Sequence, residues 1–112
     1  MAVLALDIGT TKICALVMDE ESGAVLETLS ADNAFLPAAR PREKIQDPEK
    51  IVDLAGGLVS ALKKKYRTFR CIGVTAQMHG IIYVDLNGRA LSPLYTWQDA
   101  GASLPLNTGD SA

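Results

Sequence analysis

Residues 3–18 have the sequence VLALDIGTTKICALVM, and this stretch decides the fold. Two apolar runs, residues 3–8 and 13–18, are each long enough for a strand, and Gly9, Thr10 and Thr11 separate them. Glycine followed by small hydroxyl residues is typical of a tight turn, so the pattern predicts a β-hairpin. The first run is almost continuously apolar, as expected of a strand covered on both faces.

The chain continues from the hairpin into a third strand and then a helix. Residues 19–23 form a polar turn and residues 24–30 resume as a strand, which predicts a three-stranded antiparallel meander. Residues 33–46 carry prolines and charges and predict a loop. Asp47 fits a helix N-cap and Pro48 the first helical position. A stripe of apolar residues at three- and four-residue spacing follows, with Lys63, Lys64, Lys65 and Arg67 at its end. Gly56 and Gly57 interrupt it and suggest close packing on the sheet.

Further strands follow the helix. Residues 70–76 predict a fourth strand and residues 81–86 a fifth, which Asn87 and Gly88 join to residues 89–91 as a hairpin. The order is βββαβ plus a hairpin, so we expect an α/β fold with a mixed β-sheet and the helix on one face. We assign residues 1–100 to this α/β fold. Residues 101–112 lose apolar periodicity, so we assign them to a disordered tail.

The composition excludes several classes of function. The chain has 112 residues, enough for one domain or less, and a formal net charge of -2, which argues against nucleic acid as a partner. Cys14 and Cys71 lie in apolar runs and predict reduced, buried core residues. With one histidine in the chain, no metal-ligand cluster is visible. No apolar run suits a membrane span or a targeting segment, so we expect a cytoplasmic protein without a membrane partner.

Residues 7–12, at the hairpin tip, form the first chemical motif. Gly9 lets backbone amides approach phosphate oxygens, and Thr10 and Thr11 add hydroxyl donors. Lys12 adds a positive charge, and Asp7 suits the water shell of a magnesium ion. The alternative is a hairpin turn with a polar tip and no ligand.

Two other clusters suit a polyhydroxyl ligand. Gln77, Met78, His79 and Gly80 follow the fourth strand, where a chain leaving a sheet lines a cleft. The Trp97 indole suits the apolar face of a sugar, and Gln98 and Asp99 suit its hydroxyls. The alternatives are a structural histidine and a tryptophan that closes the sheet edge.

Together these motifs resemble the N-terminal part of the FGGY carbohydrate kinases. The resemblance covers residues 3–99 and rests on residues 6–11, 72–80 and 96–99, with support from residues 45–49. The Gln-Met-His-Gly form is similar to xylulokinases and sedoheptulokinases. The resemblance as a whole implies a ribonuclease-H-like partial domain of the actin-like ATPase superfamily. The sequence departs from the family pattern at Lys12 and from Ala100 onward.

The resemblance implies phosphorylation of a sugar hydroxyl by ATP and Mg²⁺. Carried over by position, the magnesium–ATP residues are Asp7, Gly9, Thr10 and Thr11, with Asp7 reaching Mg²⁺ through water. Lys12, where the sequence departs from the family, is assigned to the phosphates from its charge alone. The substrate residues, for a xylulose- or sedoheptulose-like sugar, are Gln77, Met78, His79, Trp97 and Asp99.

The resemblance also implies what this stretch lacks. The family's general-base aspartate is expected beyond Ala112, and the adenosine site in a second domain, so we expect an N-terminal fragment that is inactive alone. The second hypothesis is a non-catalytic module that senses nucleotide or binds protein. In either case, we expect the exposed sheet to meet the missing kinase domains or to drive self-association.

Overall fold

The computed structural model describes residues 1–37 and 43–99, in which one helix and six strands form. In chain order they are β1 (Ala2–Ile8), β2 (Lys12–Asp19), β3 (Val25–Asp32), β4 (Ile45–Gln46), α1 (Pro48–Tyr66), β5 (Ile72–Ala76) and β6 (Leu94–Tyr95). The described residues fall into two compact units. Met1–Ala34 with Glu49–Gln77 form the first unit, and the described parts of Phe35–Pro48 and Met78–Ala112 form the second.

The first unit contains a four-stranded mixed sheet in the order β3-β2-β1-β5. β1, β2 and β3 form the predicted antiparallel meander, and β5 is parallel to β1. A parallel neighbour requires a crossover, and α1 lies in that connection. The predicted βββαβ order of a mixed sheet is therefore confirmed.

The strand register places the apolar residues on one face of this sheet. Side chains of paired residues lie on the same face. Leu4 is paired with Val17 and Leu6 with Ala15. These four residues and Ile13 are buried together with three residues of α1, namely Ile51, Ala55 and Leu62. The opposite face carries the alternate residues, including Asp7.

α1 begins at Pro48 as predicted and ends at Tyr66. Arg67 follows with a φ of 68°, the left-handed conformation with which many helices end. The prediction for Gly56 and Gly57 was wrong, because both are exposed and a Cβ at either position would meet no atom within 4 Å. Neither glycine is required by close packing.

The end of α1 is attached to β3 through Glu27. Lys65 Nζ lies 2.8 Å from Glu27 Oε1, and the Tyr66 hydroxyl donates to the same oxygen at 3.0 Å. The hydrogen bond from Lys65, followed by the one from Tyr66, lowers the pKa of Glu27 below its ordinary value of 4.5. Glu27 is paired with Val17, whose side chain lies on the apolar face of the sheet. Because α1 is attached to Glu27, it lies over that face.

This attachment predicts a pH-dependent contribution to stability. A carboxylate with a lowered pKa in the folded chain stabilises the fold above its unfolded pKa, and this contribution disappears as the pH falls through the folded pKa. We expect the wild type to melt at a higher temperature than Glu27→Gln near neutral pH, with the difference vanishing in acid below the lowered pKa. Thermal unfolding across a pH series measures it, with Glu21→Gln, in an exposed turn, as the control. A difference that persists undiminished in acid would contradict the assignment.

The second unit is built around a short antiparallel pair, β4 and β6. Residues 33–46 were predicted to be a loop throughout, but Ile45 and Gln46 pair with Tyr95 and Leu94, and both are buried. The predicted fifth strand does not form as a continuous strand. Residues 81–86 contribute two isolated bridges, Ile81 with Tyr95 and Val84 with Ala90.

Three further points concern the cysteines, the predicted tail and loop, and membrane spans. Cys14 is half-buried and Cys71 is exposed, so the prediction that both are buried was wrong. The predicted tail at residues 101–112, and residues 38–42 of the predicted loop, lie outside the described residues. No helix within residues 1–37 and 43–99 combines the length and apolar character that a membrane crossing needs.

Candidate functional site

The first unit places polar side chains where β1 and β5 end. The parallel pairing continues to Ile8 and Ala76, and the Gln77 amide then donates to the Ile8 carbonyl at 2.9 Å. The β1–β2 hairpin turns at the same edge. We call residues 7–12 together with residues 75–77 the strand-end site. The carboxyl ends of parallel strands are a common location for ligands in α/β sheets.

The hairpin tip is closed by a backbone hydrogen bond that requires glycine. The Gly9 amide donates to the Lys12 carbonyl at 2.9 Å. A Cβ at Gly9 would lie 2.7 Å from that oxygen, closer than real Cβ atoms approach backbone. Gly9 therefore makes the tight turn possible, and its own amide donates within the hairpin.

We expect Gly9→Ala to destabilise the chain by about 1–3 kcal/mol, because the backbone of Lys12 must shift to admit the methyl group. Urea unfolding measures the loss. Gly73→Ala is the control, since a Cβ at Gly73 would meet nothing within 4 Å. Equal stability of the two variants would show that the turn is not closed in this way.

Asn33 supports the same turn and was not singled out from the sequence. Its side chain Nδ2 donates to the Gly9 carbonyl at 2.9 Å, and its backbone amide donates to the Thr11 carbonyl at 2.8 Å. The residue is only 6% exposed. No local pattern indicates this role, because the contact joins residues 24 positions apart. The end of β3 thus fixes the hairpin tip.

Two side-chain hydrogen bonds join the hairpin to the end of β5. The Thr75 hydroxyl donates to Asp7 Oδ1 at 2.8 Å, and the Thr10 hydroxyl donates to Gln77 Oε1 at 3.3 Å. Asp7 and Thr75 are exposed. The structure therefore brings Gln77, predicted to contact substrate, together with the predicted phosphate residues.

Lys12 lies on the same sheet face as Asp7, because residues at even separations along β2 share a face and Asp7 is paired with Cys14. Lys12 is exposed and directly opposite Asp32 on β3. Opposite charges in this arrangement attract each other across the strands. The pairing therefore places one positive and one negative side chain on the same face of the sheet.

The donor set of the strand-end site suits a magnesium–phosphate group. Mg²⁺ usually keeps several waters and binds through one or two carboxylates together with phosphate oxygens. The site offers one exposed carboxylate, Asp7, beside the hydroxyls of Thr10 and Thr11. Within the part of the chain that the structure describes, no three His, Cys, Asp or Glu side chains converge as a metal-binding group. The fit is therefore to a metal that arrives with its phosphates rather than to a protein cage.

The second unit brings together the other predicted site residues. Ile81 and Tyr95 exchange two backbone hydrogen bonds of 3.0 and 2.9 Å. His79 precedes Ile81 by two residues, and Trp97 follows Tyr95 by two residues. Because the bridge is antiparallel, both residues lie on the same side of it. Met78 is 70% exposed and Trp97 56% exposed. These side chains are accessible to a ligand.

Backbone geometry in this cluster is restrained. His79 has a φ of 61°, which is uncommon for a residue with a Cβ and is frequently found at functional sites. Asp99 Oδ1 accepts the Lys44 amide at 2.8 Å, and the Thr96 hydroxyl donates to the Lys44 carbonyl at 2.9 Å. Asp99 thus fixes the segment after β6 to the residue before β4.

Comparison with known proteins identifies a family model and two similar proteins. The family model described as "FGGY family of carbohydrate kinases, N-terminal domain" matches residues 2–104. The chain is 26% identical over 100 residues to the xylulose kinase of Escherichia coli, covering 86% of this chain and 20% of that protein. It is 28% identical over 99 residues to the gluconokinase of Bacillus subtilis, covering 87% and 19%.

A solved structure shows the same fold. The gluconate kinase of Lactobacillus acidophilus superposes with a TM-score of 0.83 at 22% identity, covering 91% of this chain and 20% of that one. The chain therefore spans about a fifth of the length of the relatives that it matches.

Proposed function

Because the chain belongs to the FGGY family of carbohydrate kinases, we propose that it supplies the phosphate-binding residues and some of the sugar-binding residues of an ATP-dependent sugar kinase. The reaction transfers the γ-phosphoryl group of ATP to a sugar hydroxyl. In this proposal residues 1–100 are the N-terminal part of the first kinase domain. The protein acts in the cytoplasm, where ATP is available.

One observation carries the proposal. The Asp7 carboxylate is held by Thr75, at 2.8 Å, at the strand ends beside the tight Gly9 turn. Catalysis of phosphoryl transfer depends on positioning and on neutralising charge. A fixed carboxylate beside a hairpin with hydroxyl donors supplies both functions for a magnesium–polyphosphate group.

Each residue at the tip has a role in the proposal. Asp7 would accept hydrogen bonds from water bound to the metal. Thr11 would donate to phosphate oxygens, and Thr10 would do so on releasing Gln77 Oε1. When bound, Mg²⁺ neutralises charge on the phosphates. Lys12 adds a positive charge at the edge of the site. Gly9 keeps the turn tight enough for these groups to converge.

The second unit provides the sugar contacts. The exposed Trp97 indole packs on the apolar face of the sugar ring, and His79 and Asp99 bond its hydroxyls. Met78 adds an apolar contact. Gln77, in the first unit, is a further substrate-binding residue in the proposal. The match to xylulose kinase supports a ketose such as xylulose as the substrate, and the Gln-Met-His-Gly form extends the proposal to sedoheptulose. The match to gluconokinase makes gluconate the competing substrate.

The proposal assigns no general base to the described residues. Asp85 Oδ1 accepts the amides of Asn87 and Arg89, and Asp99 Oδ1 accepts that of Lys44. Both carboxylates are thus engaged in holding backbone. With no general base assigned among the described residues, we expect no turnover from this chain alone.

A chimeric enzyme tests the proposal. The matched segment of the E. coli xylulose kinase is replaced by that of this chain, and ATP consumption is measured with D-xylulose, sedoheptulose, gluconate and no sugar. We expect consumption that depends on a ketose and is lost in the chimera carrying Asp7→Asn. A chimera that unfolds as cooperatively as the parent enzyme but consumes no ATP with any sugar would overturn the proposal.

A second candidate function is favoured by the exposed apolar residues of β5. Ile72 is 52% exposed and Val74 59% exposed, and β5 is an edge strand among the described residues. Such edges favour pairing with another chain. A non-catalytic module would self-associate through this edge. Sedimentation as a clean monomer at high concentration would exclude self-association through this edge.

A further inference from the structure

Thr75 is held beside Asp7 by the register of the sheet. β1 and β5 are parallel, and Asp7 is directly paired with Thr75. Their side chains share a face, and the Thr75 hydroxyl donates to Asp7 Oδ1 at 2.8 Å. The two residues are 68 positions apart in sequence, so the β1–β5 pairing brings this hydroxyl to the carboxylate.

Folding does not require this hydrogen bond. Both residues are exposed, so water can satisfy either group if the other is removed. Buried polar groups, in contrast, must be paired to avoid a desolvation cost. The bond therefore controls the orientation of the Asp7 side chain more than it stabilises the sheet.

Thr75 is well suited to hold a carboxylate in one orientation. The sheet register fixes its Cβ beside Asp7, so a hydroxyl on this Cβ, in threonine or serine, reaches the carboxylate. An aspartate without a partner distributes over staggered χ1 wells. Binding of Oδ1 by Thr75 selects the well in which the second oxygen, Oδ2, is left to accept from another donor.

We propose that Thr75 is a positioning residue that orients the Asp7 carboxylate toward the magnesium–nucleotide group, with Oδ2 accepting from metal-bound water. This inference rests on the proposed function of the strand-end site. Thr75 touches neither phosphate nor metal and acts only through Asp7.

The expected effect follows from the population of the oriented state. When only a fraction of the molecules has the competent side-chain orientation, the apparent Kd increases by the inverse of that fraction. Release of Asp7 into three comparable χ1 wells therefore weakens magnesium–ATP binding about threefold. Thr75→Val removes the hydroxyl and keeps the β-branched shape, and Thr75→Ser keeps the hydroxyl.

Two measurements on the full chain test this inference. The first is the Asp7 χ1 distribution without ligand, from NMR three-bond couplings, and the second is the Kd for ATP in excess Mg²⁺, from NMR titration. We expect one dominant Asp7 rotamer in the wild type and in Thr75→Ser. In Thr75→Val we expect couplings averaged over several Asp7 rotamers and weaker binding of ATP. Melting temperatures should agree within about 3 °C, because the site is exposed.

The outcomes separate this inference from the proposed function. If the wild type binds and Thr75→Val has the same rotamer distribution and Kd, Thr75 does not position Asp7, and the proposed function stands. If Thr75→Ser behaves like Thr75→Val, the hydroxyl is not the responsible group and the inference is overturned. If the wild type does not bind magnesium–ATP, both proposals are overturned.

Discussion

Replacing Asp7 with asparagine is expected to weaken magnesium–ATP binding by the chain roughly 10- to 100-fold, the range for one hydrogen bond to a charged group. Asparagine keeps an oxygen that can accept the Thr75 hydroxyl, so the geometry of the strand-end site is retained and only the negative charge is lost. The expected loss is larger than that of Thr75→Val, which keeps the charge and releases its orientation. NMR titration with ATP in excess Mg²⁺ measures the Kd.

A matched control is available on the same sheet. Asp32 is exposed at the end of β3 and is paired with Lys12. Asp32→Asn removes a carboxylate on the same sheet but outside the proposed magnesium shell, so we expect the Kd to be unchanged. Equal weakening by Asp7→Asn and Asp32→Asn would indicate a diffuse charge effect and contradict the role of Asp7.

Replacing Leu62 with alanine is expected to destabilise the chain by about 2–5 kcal/mol, a large part of the total stability of a small domain. Leu62 is fully buried, at 0% exposure, in the last third of α1. Its removal leaves a cavity between α1 and the apolar face of the sheet, because the surrounding side chains relax only partly. We expect the melting temperature to fall by at least about 10 °C.

Val52 provides the control for Leu62. It is an apolar residue of the same helix but is 68% exposed. Val52→Ala should change stability by less than about 0.5 kcal/mol, because little burial is lost and alanine favours the helix. Thermal and urea unfolding of both variants measure the difference. A similar loss in both would mean that α1 does not pack on the sheet through Leu62.

Local signals predicted much of the first unit. The apolar runs on either side of Gly9 identify β1 and β2, and the Asp47-Pro48 pair identifies the start of α1. These features depend on turn chemistry and capping, which a few adjacent residues determine. The meander and the helix could therefore be predicted from the sequence.

Features that depend on distant partners could not be predicted in this way. Residues 81–86 have the apolar pattern of a strand, but a strand requires a neighbour, and Leu86 is fully exposed. Ile45 and Gln46 have no strand signal of their own and form β4 because Leu94 and Tyr95 lie opposite. Cys71 precedes the edge strand β5, where an apolar run is not covered on both faces.

The candidate site likewise combines features that local sequence predicts with contacts that depend on distant residues. The residues of the hairpin tip were identified from the sequence, but the contacts that organise them were not. The Asn33 amide and the Thr75 hydroxyl reach the tip from other strands. A threonine or an asparagine near a strand end carries no signal by itself, because its partner is determined by sheet register.

The central claim, that the strand-end site holds the phosphates of a magnesium–nucleotide, is tested most directly by locating a paramagnetic metal on the folded chain. Mn²⁺ with ATP is added to the isotopically labelled protein, and the broadening of each amide signal is measured. The competing position is the acidic turn at residues 19–21, about 25 Å away at the other end of the eight-residue strand β2. We expect broadening centred on residues 7–12 and 75–77, weakened by Asp7→Asn. Broadening centred on residues 19–21, and unchanged in that variant, would contradict it.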